Sequence, residues 1–187
     1  MSGRAPGEIA GTVRWAVAPY APQPPFRIYA AGREPYTVED PEQLIGAARV
    51  GGDAEFTYLV RAKARPVLIL NNPARSELQE VTALRLMRFS KIADPEKQER
   101  VRQQKEPLLF YLDPQKFELP EENAVLIPAL VTIGIGAIGS GQSLGELDDN
   151  ELRVLGERLI RYYEFDTRLL VEQMIRELAD RRRQPGR

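Results

Sequence analysis

The chain has 187 residues, 43% of them apolar, and its 26 Lys and Arg side chains nearly balance 27 Asp and Glu. These values predict one domain with a real hydrophobic core, and the near-neutral charge confines any basic surface to a local patch. Cysteine and histidine are both absent, which excludes disulfides, thiolate nucleophiles and histidine-based catalysis or metal ligation. An enzyme built on this chain would work with carboxylates, hydroxyls, Tyr, Lys or Arg, and we expect no metal and no other cofactor.

The first half of the chain predicts β-strands, because β-branched and aromatic residues dominate several short segments. The predicted strands are VRWAVAPY (13–20), FRIYA (26–30), EFTYLVRA (55–62), RPVLILN (65–71) and TALRLMRF (82–89). The prolines of APQPPF stop pairing after the first strand. Between residues 31 and 53, Gly, Pro and acidic residues predict a long excursion with a short helix near PEQLIGAA.

The second half begins with a helix signal, since Asp94 precedes Pro95 at the first helical position. Val101 alone interrupts the polar sequence KQERVRQQKE, which predicts a solvated helix face. LLFYLD (108–113) and AVLIPALVTIGIG (124–136) predict two or three further strands. The most apolar run, 124–139, is shorter than the roughly 20 residues of a membrane span, and the N-terminus lacks the apolar core of a secretory signal. We therefore expect a cytoplasmic protein without membrane contact.

Helices are predicted at the end of the chain. Asp148 and Glu151 have the spacing of a capping box, and Leu152, Leu155, Leu159 and Tyr163 follow on one stripe. A second amphipathic helix is predicted at about 167–180, before the basic tail RRRQPGR, which is expected to be solvated.

The stretch KARPVLILNNP (63–73) is the most informative candidate site. Arg61, Lys63 and Arg65 alternate with small or apolar residues and form a basic stripe before a buried aliphatic run. Two interpretations stay open. Arg65 is either an edge-strand residue paired with a carboxylate such as Glu55 or Glu80, or part of a phosphate-handling site.

The order of these pieces resembles the PemK/MazF-like proteins, small SH3-like barrels that include toxin endoribonucleases of toxin–antitoxin systems. The resemblance rests on Gly7-Glu8-Ile9 before the first strand, on Arg65-Pro66 followed by Val67–Asn72, and on Gly145-Glu146-Leu147 before the closing helix. It implies a mainly β fold with C-terminal helices, an SH3-like β-barrel of the PemK/MazF type. The barrel would occupy 1–147 with an insertion at about 19–54, and a helical extension would occupy 148–187.

The resemblance also implies a metal-independent endoribonuclease acting on single-stranded RNA. The arginine before proline corresponds to Arg65, where a fixed guanidinium would stabilise the charge that grows on the phosphate during attack by a ribose 2′-hydroxyl. The second catalytic residue of the family carries a hydroxyl group and lies at the end of the following strand. The corresponding position in this chain is Met87-Arg88, and Ser90 is the nearest residue with a hydroxyl. The predicted catalytic pair is therefore Arg65 and Ser90. The residues predicted to bind the nucleic acid are Arg61, Lys63 and Arg88.

Three departures from the family pattern leave other functions open. The hydroxyl is displaced, the polar step near the last strand reads Val131-Thr132, and the first loop is replaced by the insertion. The alternative is a catalytically degenerate barrel that binds nucleic acid or a protein, and a third interpretation is a structural protein whose insertion plugs the groove. Partners implied by the resemblance are single-stranded RNA, an antitoxin protein and a second copy of the chain in a homodimer.

Overall fold

The computed structural model describes residues 9–29, 34–51, 55–73 and 79–164. The strands in these ranges are β1 (Thr12–Pro19), β2 (Phe26–Tyr29), β3 (Tyr36–Val38), β4 (Thr57–Tyr58), β5 (Ala62–Ile69), β6 (Glu80–Arg88), β7 (Leu109–Leu112), β8 (Asn123–Gly134) and β9 (Gly145–Glu146). The helices are α1 (Glu42–Gly51), α2 (Pro95–Arg102) and α3 (Asp149–Tyr162). The predicted helix at 167–180, the basic tail and the pair Gly7-Glu8 lie outside the described residues.

One antiparallel sheet forms the body of the protein, with strand order β7-β8-β6-β5-β1-β9. After β8 the chain makes a 3₁₀ turn and returns to the free edge of β1, where Ile138 bridges Ala16. The backbone N–H groups of Gly139 and Leu144 donate to carbonyl oxygens of β1, each at 2.8 Å. This return curls the sheet into a half-barrel. The predicted class, mainly β with an SH3-like barrel and a C-terminal helix, is confirmed at the level of the fold.

β8 is one continuous strand of 12 residues, although it contains a proline. Its pairing with β6 slips between Leu84, which faces Leu130, and Leu86, which faces Val125. Pro128 lies within this irregularity, where its missing N–H interrupts no regular ladder. The bulge therefore lets β8 pair with β6 on both sides of the proline.

The insertion between β1 and β5 has its own small sheet, with strand order β3-β2-β4, and the helix α1. The helix and the strand β2 match the prediction, but the long strand predicted at 55–62 is wrong. Only Thr57 and Tyr58 pair with β2, and β5 already begins at Ala62. The apolar character of Leu59 and Val60 suggested a buried strand, yet both side chains are exposed.

The sheet is buried on both faces near its centre. One cluster includes Val13, Leu68 and Leu84, and α3 covers it with the buried Leu155. The other cluster lies on the opposite face and consists of Ala16, Ala18, Val67, Ile69, Val81, Ala83 and Ile133. The predicted capping box of α3 is present, since Asp148 accepts from the Glu151 N–H while the Glu151 side chain accepts from the Asp148 N–H.

Gly145 is the position where the closing segment tolerates no side chain. Its φ is +153°, and a Cβ there would lie 2.7 Å from the carbonyl oxygen of Lys116 and 2.8 Å from a ring carbon of Phe117. Gly145→Ala is expected to lower the free energy of unfolding by about 2 kcal/mol or more, measured by urea denaturation. Gly141→Ala is the control, because a methyl group there meets nothing within 4 Å. Equal stability of the two variants would contradict the prediction.

Glu122 links α2 to the end of the sheet. It accepts hydrogen bonds from Arg102 at 2.8 and 2.7 Å and from the Tyr111 hydroxyl at 3.1 Å. The Arg102 hydrogen bond, which outweighs burial, holds the pKa of Glu122 below its usual range. Burial, together with the hydrogen bond to Glu122, raises the pKa of Tyr111 to about 12.

Glu122→Gln is therefore expected to cost about 1–2 kcal/mol near pH 7. A carboxyl whose pKa is lowered by folding stabilises above its unfolded pKa, and this contribution is lost as the pH falls through the folded pKa. The difference between wild type and variant should accordingly shrink near pH 3, roughly a unit below the ordinary carboxyl pKa, when urea denaturation is compared at both pH values. An equal loss at both, or a similar loss for the exposed control Glu39→Gln, would count against this account.

Candidate functional site

The face of the sheet that carries the Ala16 cluster also carries the predicted arginine. Ala16 lies opposite Arg65, and Val67 lies opposite Arg85 on β6. Cross-strand partners project from the same face, so the two arginines are diagonal neighbours whose Cβ atoms are about 7–8 Å apart in ordinary sheet geometry. The alanines at positions 16 and 18 are only 4% and 1% exposed, and their small size leaves space above them for longer side chains.

Arg65 reaches across this space to Tyr20. One terminal guanidinium nitrogen, Nη2, donates to the Tyr20 hydroxyl at 2.8 Å, and the guanidinium carbon lies 5.2 Å from the ring centroid. The Arg65 Nε is buried and has no hydrogen-bond partner. Neither Glu55 nor Glu80 pairs with it, although both lie in the described ranges. The interpretation of Arg65 as half of a surface ion pair is therefore wrong.

Tyr20 forms one wall of a cleft of about 620 Å³ between the sheet and the insertion. The described lining residues are Tyr20, Ala21, Pro22, Gln23, Pro25, Phe26, Arg27, Tyr58, Leu59, Val60, Arg61 and Arg85. A second space of about 280 Å³ adjoins it, sharing Tyr20 and Arg85 and extending to Thr132 on β8. Arg65 does not line either space itself, and Tyr20 is its connection to both.

The cleft is basic. Arg27, Arg61 and Arg85 line it, no Asp or Glu appears among its described lining residues, and none of these arginines has an ion pair with a described residue. The Nε of Arg85 is buried without a partner, as is that of Arg65. Uncompensated guanidinium groups beside low-dielectric walls focus positive potential and attract anions. The arrangement is suited to binding phosphate.

The predicted site residues fall into two separate groups. Lys63 lies opposite Ala18 on the face of Arg65, and Arg61 lines the cleft. Arg88 and Ser90 instead share Glu121, with an ion pair of 3.1 Å from Arg88 and a hydrogen bond of 3.3 Å from the serine hydroxyl. The structure therefore does not bring Ser90 to Arg65. The pairing of β5 with β6 ends at Val67 and Arg85, so Met87-Arg88 continues along β8 instead.

Sequence analysis missed Tyr20, Arg27 and Arg85 as parts of the cleft. Arg85 had a usable signal, because it interrupts the aliphatic sequence TALRLMRF at the alternate position shared with Val81 and Ala83. Tyr20 and Arg27 had none, since Tyr20 reaches β5 through the pairing of β1 with β5 and Arg27 reaches the cleft through the folding of the insertion.

Neither a metal centre nor a membrane span is evident in the ranges that the structure describes. No group of three or more acidic side chains is placed there to hold a metal ion. No helix among those residues has both the length and the apolar character needed to cross a bilayer.

Among the comparisons with known proteins, matches are found with solved structures. No protein-family model matches the sequence, and no curated protein matches it. A solved structure titled "Endoribonuclease from Mycobacterial species" is similar, with 21% identity, a TM-score of 0.39, and coverage of 55% of this chain and 83% of that chain. A similarity of this size does not support an assignment of function. Any proposal about function must therefore be argued from the residues of the cleft.

Arg85 provides a test of whether the cleft is built for a ligand at the expense of stability. Because its Nε is buried without a partner, Arg85→Met is expected to raise the free energy of unfolding by about 1 kcal/mol in urea denaturation. Arg102→Met is the matched control and should destabilise, because Arg102 is paired with Glu122. Destabilisation by Arg85→Met would show that the arginine has a structural role.

Proposed function

We propose that this chain is a toxin-like, metal-independent endoribonuclease that acts on single-stranded RNA. The observation that carries the proposal is the guanidinium of Arg65, which is held by Tyr20 at the edge of a basic cleft and has no counter-ion among the described residues. The sequence resemblance to PemK/MazF-like toxins, which places an arginine of this kind before Pro66, supports the same assignment.

The cleft offers groups for the phosphates and for the bases of an RNA strand. Arg27, Arg61 and Arg85 would neutralise backbone phosphates, with Lys63 continuing the basic surface along β5. Tyr58, which is partly exposed at the cleft, offers a ring on which an unpaired base can stack. Stacking of this kind requires splayed bases, which favours single-stranded RNA over a duplex.

Arg65 would act on the transition state. Attack of a ribose 2′-oxygen on the neighbouring phosphorus places additional negative charge on the non-bridging oxygens. A guanidinium stays charged at all relevant pH values and presents several N–H donors in a fixed plane, so it stabilises this charge without any proton transfer of its own.

Protein partners belong to the same proposal. We infer a cytoplasmic protein that pairs with an antitoxin or with a second copy of itself, the barrel domain spanning 1–147 and the helical extension 148–187. Trp15 and Val17 support a partner, because these side chains are 49% and 50% exposed on the face of β1 opposite the arginines.

The second candidate is a barrel that binds nucleic acid without cutting it. The observation in its favour is the hydrogen bond from Ser90 to Glu121, which leaves the hydroxyl role beside Arg65 unfilled by the predicted residue. Binding and cleavage must therefore be measured separately.

The decisive test is cleavage of a mixed-sequence single-stranded RNA in EDTA. Arg65→Ala should lower the cleavage rate by about 10²–10³-fold, because one charge-stabilising donor group is removed from the transition state. Arg65→Lys should restore only part of the rate, since lysine keeps the charge and loses the planar fork. Arg153→Gln is the control, because this arginine pairs with Glu157 on α3.

Each outcome separates the two candidates. Cleavage that survives Arg65→Ala would refute the assignment of Arg65. Absence of cleavage by the wild type, together with salt-sensitive RNA binding that Arg61→Gln and Arg85→Met weaken, would establish the binding module instead. Absence of both activities would refute both candidates.

A further inference from the structure

The Ser90 hydroxyl lies at Glu121, but another hydroxyl is present beside Arg65. The Tyr20 hydroxyl lies 2.8 Å from the Arg65 guanidinium, and its side chain is 40% exposed and lines both spaces of the cleft. We propose that Tyr20 is a catalytic residue that donates its phenolic proton to the leaving 5′-oxygen of the RNA. The inference rests on the proposed ribonuclease function and assigns the second catalytic group of that same site.

The geometry leaves the phenolic hydrogen available. The Tyr20 oxygen accepts from Arg65, so its own O–H is not used in that bond, and no described residue accepts from it. A phenol has one hydrogen to donate, so this hydrogen is available to an acceptor that binds in the cleft. The N–H donors of Arg65 and the O–H of Tyr20 would therefore converge on one phosphate group.

The position of the hydroxyl is fixed by its surroundings. Tyr20 follows β1 directly, and its backbone N–H donates to the Arg61 carbonyl at 2.8 Å. The ring lies beneath the Arg65 guanidinium at 5.2 Å, a cation–π contact that orients both groups. A proton donor must be held within hydrogen-bond reach of its acceptor, and these two anchors provide that constraint.

Other hydroxyls near the cleft are less well placed. Ser90 donates to Glu121, and Thr132 lines only the adjoining space and has no hydrogen bond to Arg65. Tyr58 lines the cleft but packs edge-on against Phe26, with ring centroids 6.1 Å apart. Among the described residues, Tyr20 alone joins the cleft to Arg65.

The proposed step is balanced as follows. The ribose 2′-oxygen attacks phosphorus and gives its proton to water, while the bond between phosphorus and the 5′-oxygen breaks. The Tyr20 proton passes to that 5′-oxygen, and the products are a 2′,3′-cyclic phosphate and a free 5′-hydroxyl. The tyrosinate regains a proton from water before the next turnover.

A leaving group that needs no proton provides the test. Two RNA oligonucleotides would be compared, one ordinary and one with sulfur in place of the bridging 5′-oxygen at the linkage that the wild type cuts. Tyr20→Phe keeps the ring and removes the hydroxyl, so cleavage of the ordinary RNA should fall by about 10²–10⁴-fold. Cleavage of the sulfur-containing RNA should fall by less than about tenfold, because a thiolate leaves without protonation.

Two further variants make the result specific. Arg65→Ala should slow cleavage of both oligonucleotides, because charge on the non-bridging oxygens develops in each. Tyr162→Phe, at an exposed tyrosine of α3, should change neither. Thermal unfolding of each variant would confirm that it is folded.

Several outcomes would overturn the assignment. Equal losses on both oligonucleotides would make Tyr20 a positioning residue for Arg65, and unchanged cleavage by Tyr20→Phe would remove it from the reaction. If the wild type cuts neither oligonucleotide, the proposed ribonuclease function fails and the role of Tyr20 fails with it. That result is distinguishable from the first two, in which the wild type remains active.

Discussion

The return of the chain from β8 to β1 is the contact on which the rest of the structure depends. The segment after the 3₁₀ turn runs along the free edge of β1, and the Gly139 N–H donates to the Trp15 carbonyl. A Cβ at Gly139 would approach that carbonyl oxygen to 3.2 Å, so glycine allows the close passage. Without this return, β1 would be an open edge, and the sheet would lack the curvature that gathers apolar side chains on its inner face.

The arginines stand where that inner face ends. Val67 and Ala83 belong to the buried cluster, whereas Arg65 lies two residues before Val67 on β5 and Arg85 lies two residues after Ala83 on β6. Neither arginine has a carboxylate partner within the described ranges, and two such cations at the boundary of an apolar cluster are costly to fold, which favours a role in ligand binding over a role in stability. The electrostatic character of the cleft thus follows from the place where two adjacent strands exchange aliphatic for basic residues.

Much of the fold was accessible from the sequence, because local signals and tertiary structure agree there. The cap at Asp94, the capping box at Asp148 and most strands appear where the residues predict them. The site was less accessible, since it depends on which distant segments meet. Arg65 was predicted as a site residue from its neighbours in sequence, but its hydrogen-bond partner Tyr20 lies 45 positions away. The prediction that Ser90 lies beside Arg65 required the pairing of β5 with β6 to continue past Arg85. The pairing ends there, and no local sequence pattern indicates this end.

The insertion between β1 and β5 adds little to the free-energy cost of folding the chain. Its ends are joined by the hydrogen bond between Tyr20 and Arg61, so residues 21 to 60 form a closed loop on the sheet. Loop closure costs only about 0.6 kcal/mol for each doubling of loop length, so forty residues instead of five add about 2 kcal/mol. The barrel can therefore carry this long insertion at a small cost in folding free energy, while the hydrogen bond between Tyr20 and Arg61 holds Tyr20 beside Arg65.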